Sequence, residues 1–218
     1  MPVIVIASPK GGSGKSTVSV ILGSTLANQG IPVTMLDCDP NKSLTIWSGK
    51  STIPDNITVL SGISETEIIK SIKVNDADGA IVIVDLEGVA SRLMSRAISQ
   101  ADLVITPMRA TSLDAEIGAT ALNLIAEEEE ALGRDIRHSV VFTMTKALRS
   151  RQHSGINESL KEQGVDVIEP SLMERAAFSA IFAFGGNLYS MAPQGNMPTA
   201  IENAEGFSEA VLARLSDG

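Results

Sequence analysis

The chain has 218 residues, 44% of them hydrophobic, and a formal net charge of −9 at pH 7. That length suffices to bury one sizeable core, and the acidic balance argues against a surface built throughout for nucleic acid. A single cysteine, Cys38, excludes a disulfide framework and a cysteine-ligated metal cluster within one chain, while 3% aromatic residues leave little for stacking single-stranded bases.

From the N-terminus, residues 3–8 form an apolar, β-branched run that predicts a strand, and a helical pattern over 15–29 ends at Gly30 as a C′ residue. Strands follow at 32–37 and 57–60, then a helix at 65–74, a strand at 80–85 and a helix at 91–100. The second half repeats the alternation: strand 103–107, helix 112–133 closed by Gly133, strand 139–143, helix 154–163, strand 165–168, and helices 174–184 and 199–215. Residues 189–198, with Pro193, Gly195 and Pro198, read as a surface loop. The strands are apolar on both faces, as burial under helices on each side requires, so the expected fold is α/β, a doubly wound, mostly parallel sheet. No repeat and no Pro-, Gly- or Ser-rich linker divides the chain, so residues 1–218 are expected to form a single domain. No run approaches the roughly 20 apolar residues of a membrane span and no basic segment precedes the first strand, so a soluble cytoplasmic protein is expected.

Between the first strand and its helix stands Pro9-Lys10-Gly11-Gly12-Ser13-Gly14-Lys15-Ser16-Thr17. Strand, glycine-rich turn and helix in that order are the context a phosphate-binding loop demands. Glycines let backbone N–H groups close around a phosphate, and the helix N-terminus adds partial positive charge. Lys15 is expected to span the β- and γ-phosphates and the Ser16 hydroxyl to bind Mg²⁺. The usual pattern has glycine six residues before that lysine; here the position is Pro9, and a second lysine, Lys10, precedes the glycine pair. A chance glycine-rich turn is the alternative, and the flanking elements argue against it.

A metal-bound nucleotide needs acids at strand ends facing such a loop. The strand at 32–37 ends in Asp37-Cys38-Asp39-Pro40 and the strand at 80–85 in Asp85. A carboxylate closing an apolar strand is costly unless something pairs with it, and Mg²⁺ with its waters is the obvious partner; helix caps or turn formers are the other reading. Cys38 between the acids reads as a small packed hydrophobe.

These residues resemble the ParA/MinD group of deviant-Walker P-loop ATPases. The likeness is carried by residues 10–17, by Leu36-Asp37-Cys38-Asp39-Pro40, by the strand ending in Asp85, by 101–107 with Ser112-Leu113-Asp114, and by Glu174-Arg175-Ala176-Ala177-Phe178 with Gly185-Gly186. The length is similar to that of short partition ATPases. Residues 43–47 and 173–178 also resemble the ParA-like virulence protein that assists T-DNA transfer in Agrobacterium. The resemblance implies ATP and Mg²⁺ as cofactors and a nucleotide-dependent homodimer in which Lys10 reaches the partner's phosphates. It also implies a catalytic Asp39 that positions the attacking water, and Ser16, Asp37 and Asp85 around the metal. Where the family has a Pro-containing turn after the last of these acids, this chain has Leu86-Glu87-Gly88, and Glu87 brings negative charge beside the phosphates. A slow, partner-stimulated ATPase is expected.

The resemblance further implies nonspecific DNA binding and a ParB-like or cargo adaptor, hence partition of plasmids or chromosomes or positioning of another cargo, with nucleoid association. Candidate DNA contacts are Arg149 and Arg151 within the basic stretch Arg134, Arg137, Lys146, Arg149, Arg151 and Lys161, joined by Arg175; a solvated helix face is the other reading, since Glu158, Glu162 and the acids at 127–130 lie nearby. The last helix carries Glu202, Glu205 and Glu209 against Arg214, the wrong sign for anionic lipid, so no membrane attachment is expected. Two other functions fit the phosphate loop: an accessory ATPase of conjugative or T-DNA transfer that recruits a relaxase or coupling protein, and a metabolic P-loop ligase. A reductase with a cluster shared across a dimer fails, because it needs two thiolates per chain.

Overall fold

Alternation of side chains along each strand divides this chain into layers. The computed structural model describes residues 2–75, 79–146 and 150–216, the side chain of residue 117 excepted. Seven strands, β1 (Val3–Ile6), β2 (Val33–Cys38), β3 (Ile57–Ser61), β4 (Ile81–Leu86), β5 (Leu103–Met108), β6 (His138–Thr145) and β7 (Val167–Met173), form one sheet in the order β3-β2-β4-β1-β5-β6-β7, parallel throughout. Ile4, Ile6, Met35, Ile83 and Ile105 face one side, while Val5, Leu36, Val82, Val84 and Val104 face the other.

The first side is covered by α1 (Lys15–Asn28), α2 (Ser43–Lys50), α7 (Ala176–Phe184) and α8 (Met197–Ser216), through residues such as Ile21, Trp47, Ile181 and Phe207. The second carries α3 (Ile68–Val74), α4 (Arg92–Ile98) and α5 (Ser112–Leu132), while α6 (Arg151–Glu162) packs Leu160 against Val140, Phe142 and Val167. The doubly wound parallel sheet is therefore as the sequence led one to expect. Gly30 and Gly133 both have positive φ, 84° and 64°, at the ends of α1 and α5.

Several boundaries differ, each for a local reason. Helix α2 has no counterpart in the sequence reading; it is short, and its anchors Leu44 and Trp47 are the two side chains it buries, with the Trp47 indole donating to the Gly186 carbonyl at 2.7 Å. Strand β7 runs on to Met173, through Pro170, where the apolar run had suggested an end at residue 168. There Asn203 of α8 accepts from the Met173 amide at 2.9 Å and donates to the Ser171 carbonyl, so a helix side chain satisfies this edge strand. Helix α6 starts at Arg151 rather than at residue 154, because the Ser150 hydroxyl caps the His153 amide.

The fold depends on α8 closing one face of the sheet with Phe207, which is wholly buried. Phe207→Ala is expected to cost about 3–5 kcal/mol, measured by urea unfolding followed by circular dichroism; a cost below about 1 kcal/mol would remove α8 from the cooperative core.

Candidate functional site

The C-terminal ends of β1, β2 and β4 meet where β1 hands over to α1. Gly14 takes φ 98° immediately before the helix and Gly12 φ 74°, conformations that side chains with a Cβ avoid. No side chain caps α1 and no acid sits in its first turn, so its leading N–H groups face the loop without a protein acceptor from a capping side chain. The loop is braced from behind: the Thr143 hydroxyl of β6 donates to the Ser13 carbonyl at 2.7 Å, and Arg109 donates to the Gly12 carbonyl at 3.1 Å. Lys15 is 6% exposed, and its Nζ crosses the loop to donate to the Lys10 carbonyl at 3.0 Å. Burial lowers the Lys15 pKa, with Asp85, then Asp39, then Glu87 acting in the opposite direction.

Asp37 and Asp85 lie side by side, paired in register across β2 and β4. Asp37 is buried, and one oxygen accepts from the Thr45 amide at 2.8 Å and the Thr45 hydroxyl at 2.6 Å. Asp85 is completely buried, and one oxygen accepts from the Ser19 hydroxyl at 3.1 Å. The second oxygen of each, Oδ1 of Asp37 and Oδ2 of Asp85, has no hydrogen-bond partner among the described residues. Burial pushes the Asp85 carboxyl up to about 7, although Ser16 and Ser19 hydrogen bonds pull it down. Orphaned carboxylate oxygens inside a protein are costly, and a hydrated divalent cation is the partner their hard oxygens suit. With the Ser16 hydroxyl beside Asp85, the residues fit Mg²⁺ held largely through water. Among the described residues no group of three His, Cys, Asp or Glu side chains forms a direct metal cage. Cys38, between the two acids in sequence, is buried, and that burial pushes its thiol up to about 12, so it acts as packing.

A cavity of about 470 Å³ opens in front of the loop, lined by Gly12, Lys15, Ser16, Asp39, Glu87 and Gly88 among others. Asp39 is half-buried and accepts from the Asn41 amide at 2.8 Å. Gly88 touches the loop so closely that a Cβ there would lie 2.6 Å from the Gly11 amide nitrogen. Lys10 turns away from this cavity, its Nζ 2.8 Å from Asp114 in the first turn of α5. Burial alone would raise the Asp114 carboxyl; hydrogen bonds from Lys10 and Thr111 outweigh it and hold it low.

Beyond Thr17 lies a second cavity of about 350 Å³, mainly apolar, with Met144, Leu172, Phe178 and Phe182 in its walls. Arg175 lines it too, with Nη2 3.0 Å from the Met173 sulfur, so this arginine borders the phosphate loop's neighbour. Arg151, exposed at the start of α6, lies on the other face of the sheet, and Arg149 falls outside the described residues. Arg134 and Arg137 sit just before β6, at the opposite end of the strands from the loop, donating to the carbonyls of Ser99 and Arg214. The basic residues gathered by sequence thus do not share one surface. Contributors that escaped the sequence reading include Thr45, Thr143 and Arg109 as braces, Asp114 as the partner of Lys10, and Met144. Met144 has φ 53° where β6 shifts register, a strained bulge that aims its side chain between the cavities; no local sequence signal marks it.

The family model for the CobQ/CobB/MinD/ParA nucleotide binding domain matches residues 4–188. A protein of Rhizobium radiobacter called Protein ParA is 62% identical over 219 residues, covering 100% of this chain and 99% of its own. Protein virC1 of the same organism is 26% identical over 208 residues, 91% of this chain and 88% of its own. Among solved structures, an McdA–ATP complex from Cyanothece superposes with a TM-score of 0.77 at 20% identity, covering 97% of this chain and 96% of that one.

The raised Asp85 carboxyl has a sign that can be tested. Its folded value of about 7 exceeds the ordinary 3.8, so the fold favours the protonated form. Stability of the nucleotide-free protein therefore falls as pH rises from about 4 to about 7. Asp85→Asn is expected to be the more stable protein at pH 8, by on the order of 1–3 kcal/mol, with the gap closing at pH 5. Chemical denaturation at both values checks this, and equal stability at pH 8 would show that the carboxylate carries no burial penalty.

Proposed function

Since the chain belongs to the CobQ/CobB/MinD/ParA family of nucleotide-binding domains, we propose that it is a Mg-ATP-dependent, dimerising ATPase that binds DNA nonspecifically and drives partition or cargo positioning. The observation that carries the reading is the pair of buried carboxylate oxygens without donors, Asp37 Oδ1 and Asp85 Oδ2, beside a phosphate loop whose lysine is already folded inward. Such an arrangement is wasteful in a protein with no cationic ligand and useful in one that holds a metal-bound triphosphate.

In this reading the backbone N–H groups of residues 11–17 and the start of α1 grip the β-phosphate. Lys15 leaves the Lys10 carbonyl for the β- and γ-phosphates. Ser16, Asp37 and Asp85 hold magnesium and its waters; when bound, the ion neutralises charge on the phosphate oxygens. The apolar cavity between Thr17 and Phe178 takes the base. Asp39 orients the attacking water from the rim. Lys10 exchanges Asp114 for the phosphates of a second copy, where a cation in trans stabilises charge on the transferring group. ATP then bridges the dimer, and hydrolysis, stimulated by a ParB-like or cargo adaptor, releases it.

Identity of 62% to a protein called ParA against 26% to one called virC1 favours partition over transfer. Arg151, with Lys146 and Arg149 nearby in sequence, is the better DNA candidate, and Arg175 is reassigned to the base cavity. No described helix is long and apolar enough to cross a membrane, and α8 uses Ala204, Phe207 and Val211 inside the core, which leaves it no free apolar face for lipid. Nucleoid association follows from the proposed DNA binding.

Lys15→Ala is expected to abolish ATP binding in calorimetry while the fold is kept; normal affinity would overturn the site. Sedimentation separates the other two roles. Lys10→Ala is expected to bind ATP yet stay monomeric, whereas Asp39→Ala is expected to accumulate an ATP-bound dimer with turnover reduced at least about a hundredfold. ATP-driven dimers of Lys10→Ala, or parental turnover by Asp39→Ala, would each remove the assigned role.

A further inference from the structure

Glu87 lies two residues beyond Asp85, in the turn that leaves β4. The turn is pressed against the phosphate loop, since a Cβ on Gly88 would come within 2.8 Å of the Lys10 carbonyl carbon as well as 2.6 Å of the Gly11 nitrogen. Glu87 is half-buried and lines the same cavity as Lys15, Ser16 and Asp39. The other acids here each accept at least one hydrogen bond, Asp37 from Thr45, Asp85 from Ser19 and Asp39 from the Asn41 amide. Among the described residues no hydrogen bond or ion pair engages the Glu87 carboxylate, and its charge is felt at Lys15 behind those of Asp85 and Asp39.

We propose that Glu87 is a specificity-determining residue, a charge gate that makes retention of the terminal phosphate conditional on positive charge supplied by hydrated magnesium and by Lys10 of a second copy. The proposal rests on the reading of this cavity as a nucleotide site. The loop and the α1 N-terminus grip a β-phosphate, so the next phosphate projects outward to where Glu87 and Asp39 stand. A diphosphate ends farther from Glu87 and feels its charge less, because Coulomb repulsion falls with distance. One lysine, Lys15, lines the cavity against two acids, Asp39 and Glu87, while Lys10 is held by Asp114. A lone subunit therefore holds a triphosphate weakly, and the second copy's Lys10 restores the balance. Glu87 thus couples nucleotide retention to dimerisation without touching the reacting atoms.

The test uses the full chain in calorimetry with magnesium, a non-hydrolysable ATP analogue and ADP, at concentrations where subunits are monomeric. Glu87→Gln keeps the shape and removes the charge. It is expected to bind the analogue about tenfold tighter, with ADP affinity changed less than about twofold, and to reach half-saturation with the analogue at lower magnesium. Glu87→Asp is expected to keep the parental ratio of analogue to ADP affinity. An unchanged ratio in Glu87→Gln, with both nucleotides bound by the parent, would overturn the gate alone. Unchanged analogue affinity with turnover lost by more than about a hundredfold would also overturn it and make Glu87 a general base. A parent that binds neither nucleotide would overturn the nucleotide site and the gate together.

Discussion

Burying two carboxylates beside each other at the ends of adjacent strands is the constraint from which the rest of this molecule can be understood. Parallel strands covered on both faces need continuous apolar sequence, and β2 and β4 supply it until Asp37 and Asp85. Each acid keeps one oxygen satisfied by a neighbouring hydroxyl, Thr45 or Ser19, and among the described residues the other has no partner. That half-satisfaction is what distinguishes them from structural acids such as Asp166, whose oxygens are both taken, by Arg214 and Ser139. The fold tolerates the cost because its apolar layers are extensive, and a cation held there, as proposed, would recover it.

The phosphate loop in turn depends on parts of the chain far from it in sequence. Thr143, 130 residues away, holds the Ser13 carbonyl and packs so tightly on Gly14 that a Cβ would lie 3.1 Å from its methyl. Arg109 holds the Gly12 carbonyl from the end of β5. The positive-φ glycines are thus braced as well as permitted, so the cradle is preorganised by β5 and β6 and not by its own eight residues. The bulge at Met144 belongs to the same bracing: it lets β6 present Thr143 to the loop and Met144 to the cavities beside it.

What was legible in the sequence divides along the same line. The strands announced themselves as short apolar runs, the long helices through periodicity, and the loop through Lys10–Thr17, because those signals are local. The acids at Asp37, Asp39 and Asp85 were visible as charges closing apolar runs. Their unequal surroundings were not, since the satisfaction of Asp37 depends on a helix, α2, whose two buried anchors make no readable period. The basic residues misled for a related reason: closeness in sequence says little about which end of a parallel strand a residue occupies, and Arg137 and Lys146 flank β6 at opposite ends. Arg175, read as one more cation, is turned instead towards a thioether and an apolar cavity.

Lys10 has the same non-local character. A lysine ahead of two glycines, on a loop already served by Lys15, takes a protein partner within its own subunit. The chain gives it Asp114, an acid almost fully buried and further held by Thr111 at the start of α5. That pairing helps hold the Asp114 carboxyl low and turns Lys10 away from the cavity, so neither partner is free, yet the pair lies partly in solvent on the lysine side. Phosphate oxygens would offer this cation a multiply charged acceptor that a single carboxylate does not. On the proposed reading, exchange from carboxylate to phosphate would change which molecule the lysine is bound to. On that reading, the Lys10–Asp114 contact inside one subunit is what a contact between two would replace.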